Sequence, residues 1–389
     1  MQLFQVYSLF DMEPVKGQGC YVSDQNGQSY LDCYGGHAVI SIGHSHPHFV
    51  QRISEQLEQL AFYSNSIQNP LQLQLAKLLG QQSGCKDYQL FLCNSGAEAI
   101  ENALKLASFQ NGKSKIVSFK QAFHGRTSAA VNITDHPKLK APINKRFPTE
   151  FVDMNDLEAV EQAFSAGDVC ALIIEGIQGI GGVHQPDVAF LQELSRLCKQ
   201  YEVVFIVDEI QSGYGRSGHF FAFQQAGVEP DLITVAKGMG NGFPIGGLLI
   251  HPKFKPSYGL LGSTFGGNHL ACAAGLAVLE VIRDEQLMSN AQIQGNYLMQ
   301  QLKALGAFQE VRGQGLMIGL ELNQAAAPLR KHLLYEEKIF TGSSSNPNVL
   351  RILPPLTISP TEIDLFVAAM ERSLAALSIP ILQLQKNNS

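Results

Sequence analysis

Six short apolar runs, none of them alternating with polar residues, constrain this chain more than any other feature. Leu90–Cys93, Ile116–Phe119, Ala171–Ile174, Val203–Val207, Leu232–Ala236 and Gly247–Ile250 are rich in Ile, Val, Leu and Phe. A strand with one face in water alternates, whereas a strand without alternation is buried on both faces. Between several runs lie stretches with helical spacing. Ile100, Ala103, Leu104 and Ala107 form one stripe, and Phe190, Leu191, Leu194 and Leu197 form another. Buried strands separated by amphipathic helices imply an α/β fold with a large, mostly parallel sheet covered on both sides.

The 389 residues exceed what one core usually serves, so two domains are expected. The large α/β domain is placed at 46–267. Cys20–Asp24 and Ser29–Asp32, joined across Asn26-Gly27, read as a hairpin. Residues 268–389 hold long helices, such as Leu270–Ile282, and strands near Met317–Leu322 and Val349–Leu353. Residues 1–45 and 268–389 are therefore expected to form a second, smaller α+β domain, ending in a disordered tail at Gln383–Ser389.

Hydrophobic content of 45% and charged content of 16% are globular values and exclude a disordered chain. A net charge of −6 gives no reason to expect nucleic acid or an anionic membrane as a partner. The seven cysteines are scattered, odd in number and free of any C-x-x-C pair, which suits reduced thiols in a cytoplasm. Met1–Phe10 lacks a basic, then apolar, leader pattern. No run approaches the ~20 apolar residues of a membrane span. A soluble, cytoplasmic protein is expected.

Two of the apolar runs end on chemistry. Leu232–Ala236 leads into Lys237-Gly238, and Val203–Val207 leads into Asp208-Glu209-Ile210-Gln211. A lysine and an aspartate at the ends of neighbouring buried strands are what pyridoxal phosphate requires. The amine forms a Schiff base with the aldehyde, and the carboxylate keeps the pyridine nitrogen protonated so that the ring accepts electrons. Asn94-Ser95-Gly96-Ala97-Glu98-Ala99 follows a strand and opens a helix, where free N–H groups and the helix dipole suit a phosphate. An ordinary helix cap has the same composition. In Gln121–Thr127, Phe123 could lie over a flat ring and Arg126 could hold a carboxylate; a buried Phe and a solvated Arg are the plainer alternative. Gly262–Asn268 offers the hydroxyls of Ser263 and Thr264 on a glycine-rich loop, or a plain connector.

Two patterns are decoys. Ala107–Ser114 loosely matches a Walker A loop, but it closes a helix and leads into a strand, the reverse of the required context. His44, His46 and His48 alternate about Pro47 at a helix start with no thiol or carboxylate close in sequence, so they read as capping imidazoles rather than metal ligands.

Taken in order, these residues resemble the class III, fold type I, pyridoxal phosphate-dependent aminotransferases over nearly the whole chain. The motifs run from Gly43-His44-Ser45-His46-Pro47 through Asn94–Ala99, Phe123–Arg126, Asp208–Gln211, Ala236-Lys237-Gly238 and Ser263–Asn268 to Arg351 before Leu353-Pro354-Pro355. The acetylornithine branch of arginine biosynthesis is nearest. The resemblance implies transfer of the terminal amine of N2-acetylornithine to 2-oxoglutarate. It makes Lys237 the Schiff-base lysine and pairs Asp208 with the pyridine nitrogen. Gln211 would stand near the phenolic oxygen, Phe123 on the ring, and His124 among the cofactor-contacting residues. Ser95, Gly96 and Ala97 would hold the phosphate, with Thr264 arriving from the other subunit of a homodimer. Arg126 and Ser263 match positions that contact the acylornithine, and Arg351 matches the arginine that binds the keto-acid carboxylate. No metal is implied.

The chain departs from the family pattern at Ile180, where relatives acting on ω-amines carry a glutamate that masks the arginine matching Arg351. An unmasked Arg351 counts against free ornithine and 4-aminobutyrate, and it could hold an extra carboxylate, as on N2-succinylornithine. An intramolecular amine exchange and a catalytically silent fold relative are the remaining alternatives; the silent relative is disfavoured because Lys237 and Asp208 are both present.

Overall fold

A computed structural model of the chain describes residues 1–145 and 147–381. All six apolar runs are strands, and they lie in one sheet: β1 (Gln89–Cys93), β2 (Lys115–Phe119), β4 (Val169–Glu175), β5 (Val204–Asp208), β6 (Leu232–Val235) and β7 (Gly246–Ile250). The sequence pattern does not mark the seventh member, β3 (Thr149–Val152). It sits at the sheet edge, where three of its four residues are only partly buried, so no continuous apolar run is needed there. The spatial order is β1-β7-β6-β5-β4-β2-β3. Strands β6, β5, β4, β2 and β3 are parallel, and β7 runs antiparallel to both β1 and β6. Every residue of β4, β5 and β6 is buried, as double-sided cover requires.

The helices supply that cover. In α1 (Gly96–Asn111) the stripe Ile100, Ala103, Leu104 and Ala107 is buried, and in α2 (Val188–Gln200) so are Phe190, Leu191, Leu194 and Leu197. Helix α1 ends on Gly112 in the left-handed conformation, which closes the false Walker A segment before β2 begins. Helix α3 (His269–Asp284) is buried along most of its length, because it packs on helices Pro47–Gln59 and Pro70–Ser83 of the large unit.

The chain ends build two further sheets. Pro14–Gln18, Tyr21–Asp24 and Ser29–Asp32 form an antiparallel meander that Ile339–Phe340 extends in parallel, so the first strands pair with a late one. Glu310–Gln314, Met317–Glu321, Val349–Ile352 and Gly342–Ser343 form an antiparallel sheet that carries Arg351. The expected tail at Gln383–Ser389 lies outside the described residues.

The three histidines correct the sequence reading. His46 makes no capping bond to the Pro47–Gln59 helix. Instead each imidazole meets its own carboxylate brought in by the fold: His44 with Asp32 at 2.8 Å, His46 with Glu285 at 2.8 Å and His48 with Glu280 at 2.6 Å. Two of these partners lie more than two hundred residues away, beyond the reach of local spacing.

Close packing of β7 sets the turn after β1. A Cβ on Gly246 would stand 2.6 Å from the Ser95 carbonyl oxygen, whereas one on Gly247 would meet only the flexible ends of Leu90 and Val235, at 3.2 and 3.3 Å, before any backbone. Gly246→Ala should therefore cost about 2 kcal/mol in urea unfolding, and Gly247→Ala less than half of that.

Candidate active site

Glu175, Asp208 and Thr234 share one rung of the sheet at the carboxyl ends of three parallel strands, Thr234 one residue before the end of its own. Carboxyl ends of parallel strands open into a crevice, and here the crevice is a cavity of about 280 Å³. Lys237, Asp208, Glu175, Phe123, His124 and Gln211 line it, together with Asn94–Ala97 at the start of α1.

Asp208 is buried and fully engaged. Its Oδ1 accepts from the Thr234 hydroxyl at 3.2 Å and from the Ile210 N–H at 3.0 Å, and its Oδ2 lies 2.7 Å from His124 Nδ1. The carboxylate accepts, so Nδ1 carries the proton. His124 Nε2 is buried with no partner among the described residues. Glu175 accepts from the Phe123 N–H at 3.0 Å and the Gly179 N–H at 2.9 Å, which fixes the loop carrying Phe123. Burial raises the pKa of Glu175, with Asp208 adding to the rise and His124 opposing it.

Lys237 follows β6 on a backbone with φ of 44°, a left-handed conformation that is costly for any residue with a Cβ. The turn is bolted in place: Ser41 Oγ donates to the Gly238 carbonyl at 2.7 Å, and Asn241 Oδ1 accepts the Ser41 and Ile42 N–H groups at 2.8 and 3.1 Å. Loss of solvation lowers the pKa of the Lys237 amine from an ordinary 10.5 to about 8, against the pull of Asp208 and Glu175 and with Arg351 adding to the drop.

At the start of α1, Ser95 is the N-cap and its Oγ accepts the Glu98 N–H at 3.2 Å. Glu98 folds back to accept the Asn94 N–H at 2.8 Å. Gly96 and Ala97 line the cavity in the first turn of the helix, where no helical carbonyl can reach their N–H groups. Gly96 packs closely on Ile210, since a Cβ would stand 2.8 Å from Ile210 Cδ1 and that side chain would have to shift to admit one.

The remaining expected residues lie outside the cavity lining. Arg351 is 1% exposed, donates from Nε to the Ser343 carbonyl at 2.6 Å and from Nη1 to Gln211 Oε1 at 3.1 Å, and reaches the cavity through Gln211. Burial lowers its pKa to about 10. Gln211 donates its amide to the His37 carbonyl at 3.1 Å. Arg126 and Thr264 are exposed, and Ser263 Oγ accepts from Asn94 Nδ2 at 3.1 Å and the Gly266 N–H at 3.0 Å. Glu175 and Thr234 were not singled out from sequence. Glu175 carried a usable signal, because the run Ala171–Ile174 ends on a carboxylate just as Val203–Val207 does.

The "Aminotransferase class-III" family model matches residues 5–374. Acetylornithine aminotransferase from Archaeoglobus fulgidus is 41% identical over 95% of this chain and 97% of its own. The Bacillus cereus acetylornithine aminotransferase is 38% identical over 98% and 99%. Among solved structures, an ornithine aminotransferase from Toxoplasma gondii superposes with a TM-score of 0.88 at 29% identity, over 97% of this chain and 92% of that one; it is described with partial occupancy of PLP at its active site.

The depressed Lys237 pKa has a consequence for the cofactor-free protein. Between pH 8 and 10.5 the unfolded chain holds a proton that the folded chain has released, so stability rises with pH through that window and bears the full cost below it. The whole shift is worth about 3 kcal/mol, and water in the open cavity screens it to about 2 kcal/mol. Lys237→Met should therefore stabilise the cofactor-free protein at pH 7 in urea unfolding, with the gain shrinking towards pH 10.5.

Proposed function

The chain belongs to the class III aminotransferase family, and from that premise we propose that it moves the terminal amine of N2-acetylornithine to 2-oxoglutarate, in arginine biosynthesis. The observation that carries this reading is the meeting of Lys237 and Asp208 in one cavity that also opens onto the start of a helix.

The donor set suits pyridoxal phosphate, the cofactor of the family. A half-buried amine of lowered pKa, a buried carboxylate on the same sheet rung as its neighbours and a pair of free N–H groups match an aldehyde, a ring nitrogen and a phosphate respectively. When bound, pyridoxal phosphate supplies an aldehyde that takes up the amino group and a ring that draws electrons from the substrate carbon. Lys237 would anchor it, and its amine, once released, would accept a proton from the amine-bearing carbon and return it. Asp208, oriented by His124 and Thr234, would hold the ring N–H. Ser95, Gly96 and Ala97 would hold the phosphate, Phe123 would cover the ring face, and Gln211 would stand by the phenolic oxygen.

Arg351 supports the substrate assignment. Ile180 offers only its backbone carbonyl, which accepts from the Ser345 N–H at 2.8 Å and hydroxyl at 3.0 Å, so no acid from this position covers the guanidinium. A buried guanidinium with neutral partners favours a substrate carboxylate. Free ornithine and 4-aminobutyrate would then be drawn in by the wrong end, which favours a donor whose α-amine is acylated. The same observation favours N2-succinylornithine as a second donor. Arg126 and Ser263 would contact the acylated end.

We further propose a homodimer in which Thr264 reaches the neighbouring phosphate site. Phe62, Tyr63, Ile67, Leu73 and Phe265 are exposed near that loop, with the Phe62 and Phe265 rings 5.3 Å apart, and such a patch supports a subunit interface. Residues 46–267 would bind the cofactor, with 1–45 and 268–389 closing over it. Seven free cysteines support a cytoplasmic setting.

Steady-state assays with 2-oxoglutarate and a panel of amino donors test the reading. N2-acetylornithine should exceed free ornithine and 4-aminobutyrate in kcat/KM by about tenfold or more, the worth of one well-made charged contact. Equal or better turnover of either free amine contradicts it.

A further inference from the structure

Two guanidinium groups grip one short strand. Arg351 Nε holds the Ser343 carbonyl at 2.6 Å, and Arg330 Nε holds the Thr341 carbonyl at 2.9 Å. Gly342 lies between them, and the Tyr34 ring packs against it, since a Cβ there would stand 2.8 Å from Tyr34 Cδ2 and 3.3 Å from Arg351 Cβ. The Arg330 guanidinium lies over the Tyr34 ring at 5.9 Å and over the Phe10 ring at 4.8 Å. The Tyr34 hydroxyl meets the His37 imidazole, with ring nitrogens at 2.5 and 2.8 Å. Gln211 then ties the group to the cavity, because it binds both the His37 carbonyl and Arg351.

The cluster holds two cations and no anion. Among the described residues, the hydrogen-bond partners of Arg330 and Arg351 are carbonyl and amide oxygens, none of them a carboxylate. Partial burial, helped by the charges of Arg351, Lys237 and Arg330, brings the His37 pKa down to about 4, so its imidazole is a neutral hydrogen-bonding group at pH 7. Aromatic packing accounts for the position of Arg330. It leaves Arg330 with no acid acting on it and Arg351 with only the distant Glu175, which is not hydrogen-bonded to it, so an incoming dianion offsets a cost that the cluster itself does not. Carbonyls two residues apart on a strand stand about 7 Å apart, a separation within the reach of a five-carbon diacid.

We propose that Arg330, with the Tyr34 hydroxyl and the His37 imidazole, forms a second carboxylate subsite beside Arg351. The subsite rests on the aminotransferase reading and adds a preference within it, for a substrate with two carboxylates. The second carboxylate has two sources: the distal end of the keto-acid acceptor, or the end of a diacid acyl group on the donor.

Arg330→Met keeps the stem against Phe10 and removes the charge; Tyr34→Phe removes only the hydroxyl. Calorimetry on the cofactor-loaded protein compares glutarate with butyrate, and assays compare 2-oxoglutarate with pyruvate and N2-succinylornithine with N2-acetylornithine. Arg330→Met should weaken glutarate about tenfold more than butyrate, as loss of a charge-assisted bond requires, and Arg330→Lys should recover part of the loss. A matching fall in the 2-oxoglutarate to pyruvate ratio assigns the subsite to the acceptor, and a fall in the succinyl to acetyl ratio assigns it to the donor. Unchanged glutarate binding and unchanged ratios in both Arg330→Met and Tyr34→Phe overturn the proposal. Loss of glutarate binding in a protein that transfers no amine supports the subsite and overturns the function.

Discussion

The buried carboxylate of Asp208 is the constraint on which the rest of the site depends. A carboxylate at 4% exposure stands only if each oxygen is engaged, and Thr234, Ile210 and His124 supply those contacts. Two of the three come from other parts of the sheet. Thr234 shares its rung on β6, and His124 follows β2, so the parallel register fixes the acid in place. The same register places Glu175 on the neighbouring strand, where it ties down the Phe123 loop. Lys237 then emerges two residues beyond β6, beside the acid whose charge partly sustains its own.

Around this centre the charges divide by depth. Asp208 and Glu175 lie at the floor among strand ends, Arg351 lies on the small antiparallel sheet, and Arg330 lies on the helix Ala327–Tyr335 beside it. Arg351 is paired with Gln211 and a backbone carbonyl rather than an acid, and the Ser343–Ser345 segment that holds it is itself fastened to the Ile180 carbonyl. Ile180 thus fastens the segment beside the arginine through its backbone carbonyl alone. The small-domain side of the crevice carries the two arginines, and the strand-end side the two buried carboxylates.

Much of this was legible in the sequence because double-sided burial leaves an unmistakable mark. The six apolar runs are six strands of one sheet, and the residues just past two of them, Asp208 and Lys237, line one cavity with Ser95–Ala97, Phe123, His124 and Gln211. The edge strand Thr149–Val152 was hidden because exposure removes the apolar signal. The carboxylate partners of His46 and His48 were hidden because they arrive through the packing of α3. The Tyr34–Arg330 contact joins residues almost three hundred positions apart, one just past the strand Ser29–Asp32 and one on the helix Ala327–Tyr335, and nothing local announces it. Arg126, Ser263 and Thr264 lie outside the cavity lining, so the cavity itself does not mark them.

The central claim is that the amine of Lys237 is the covalent anchor, placed by the β6 turn above Asp208. Borohydride reduction of the cofactor-loaded protein, followed by peptide mapping, tests it most directly. The account predicts loss of the visible absorption band and a single phosphopyridoxyl label on Lys237, with no label in Lys237→Ala. A label on another lysine, or a protein that takes up pyridoxal phosphate without any reducible link, would contradict it.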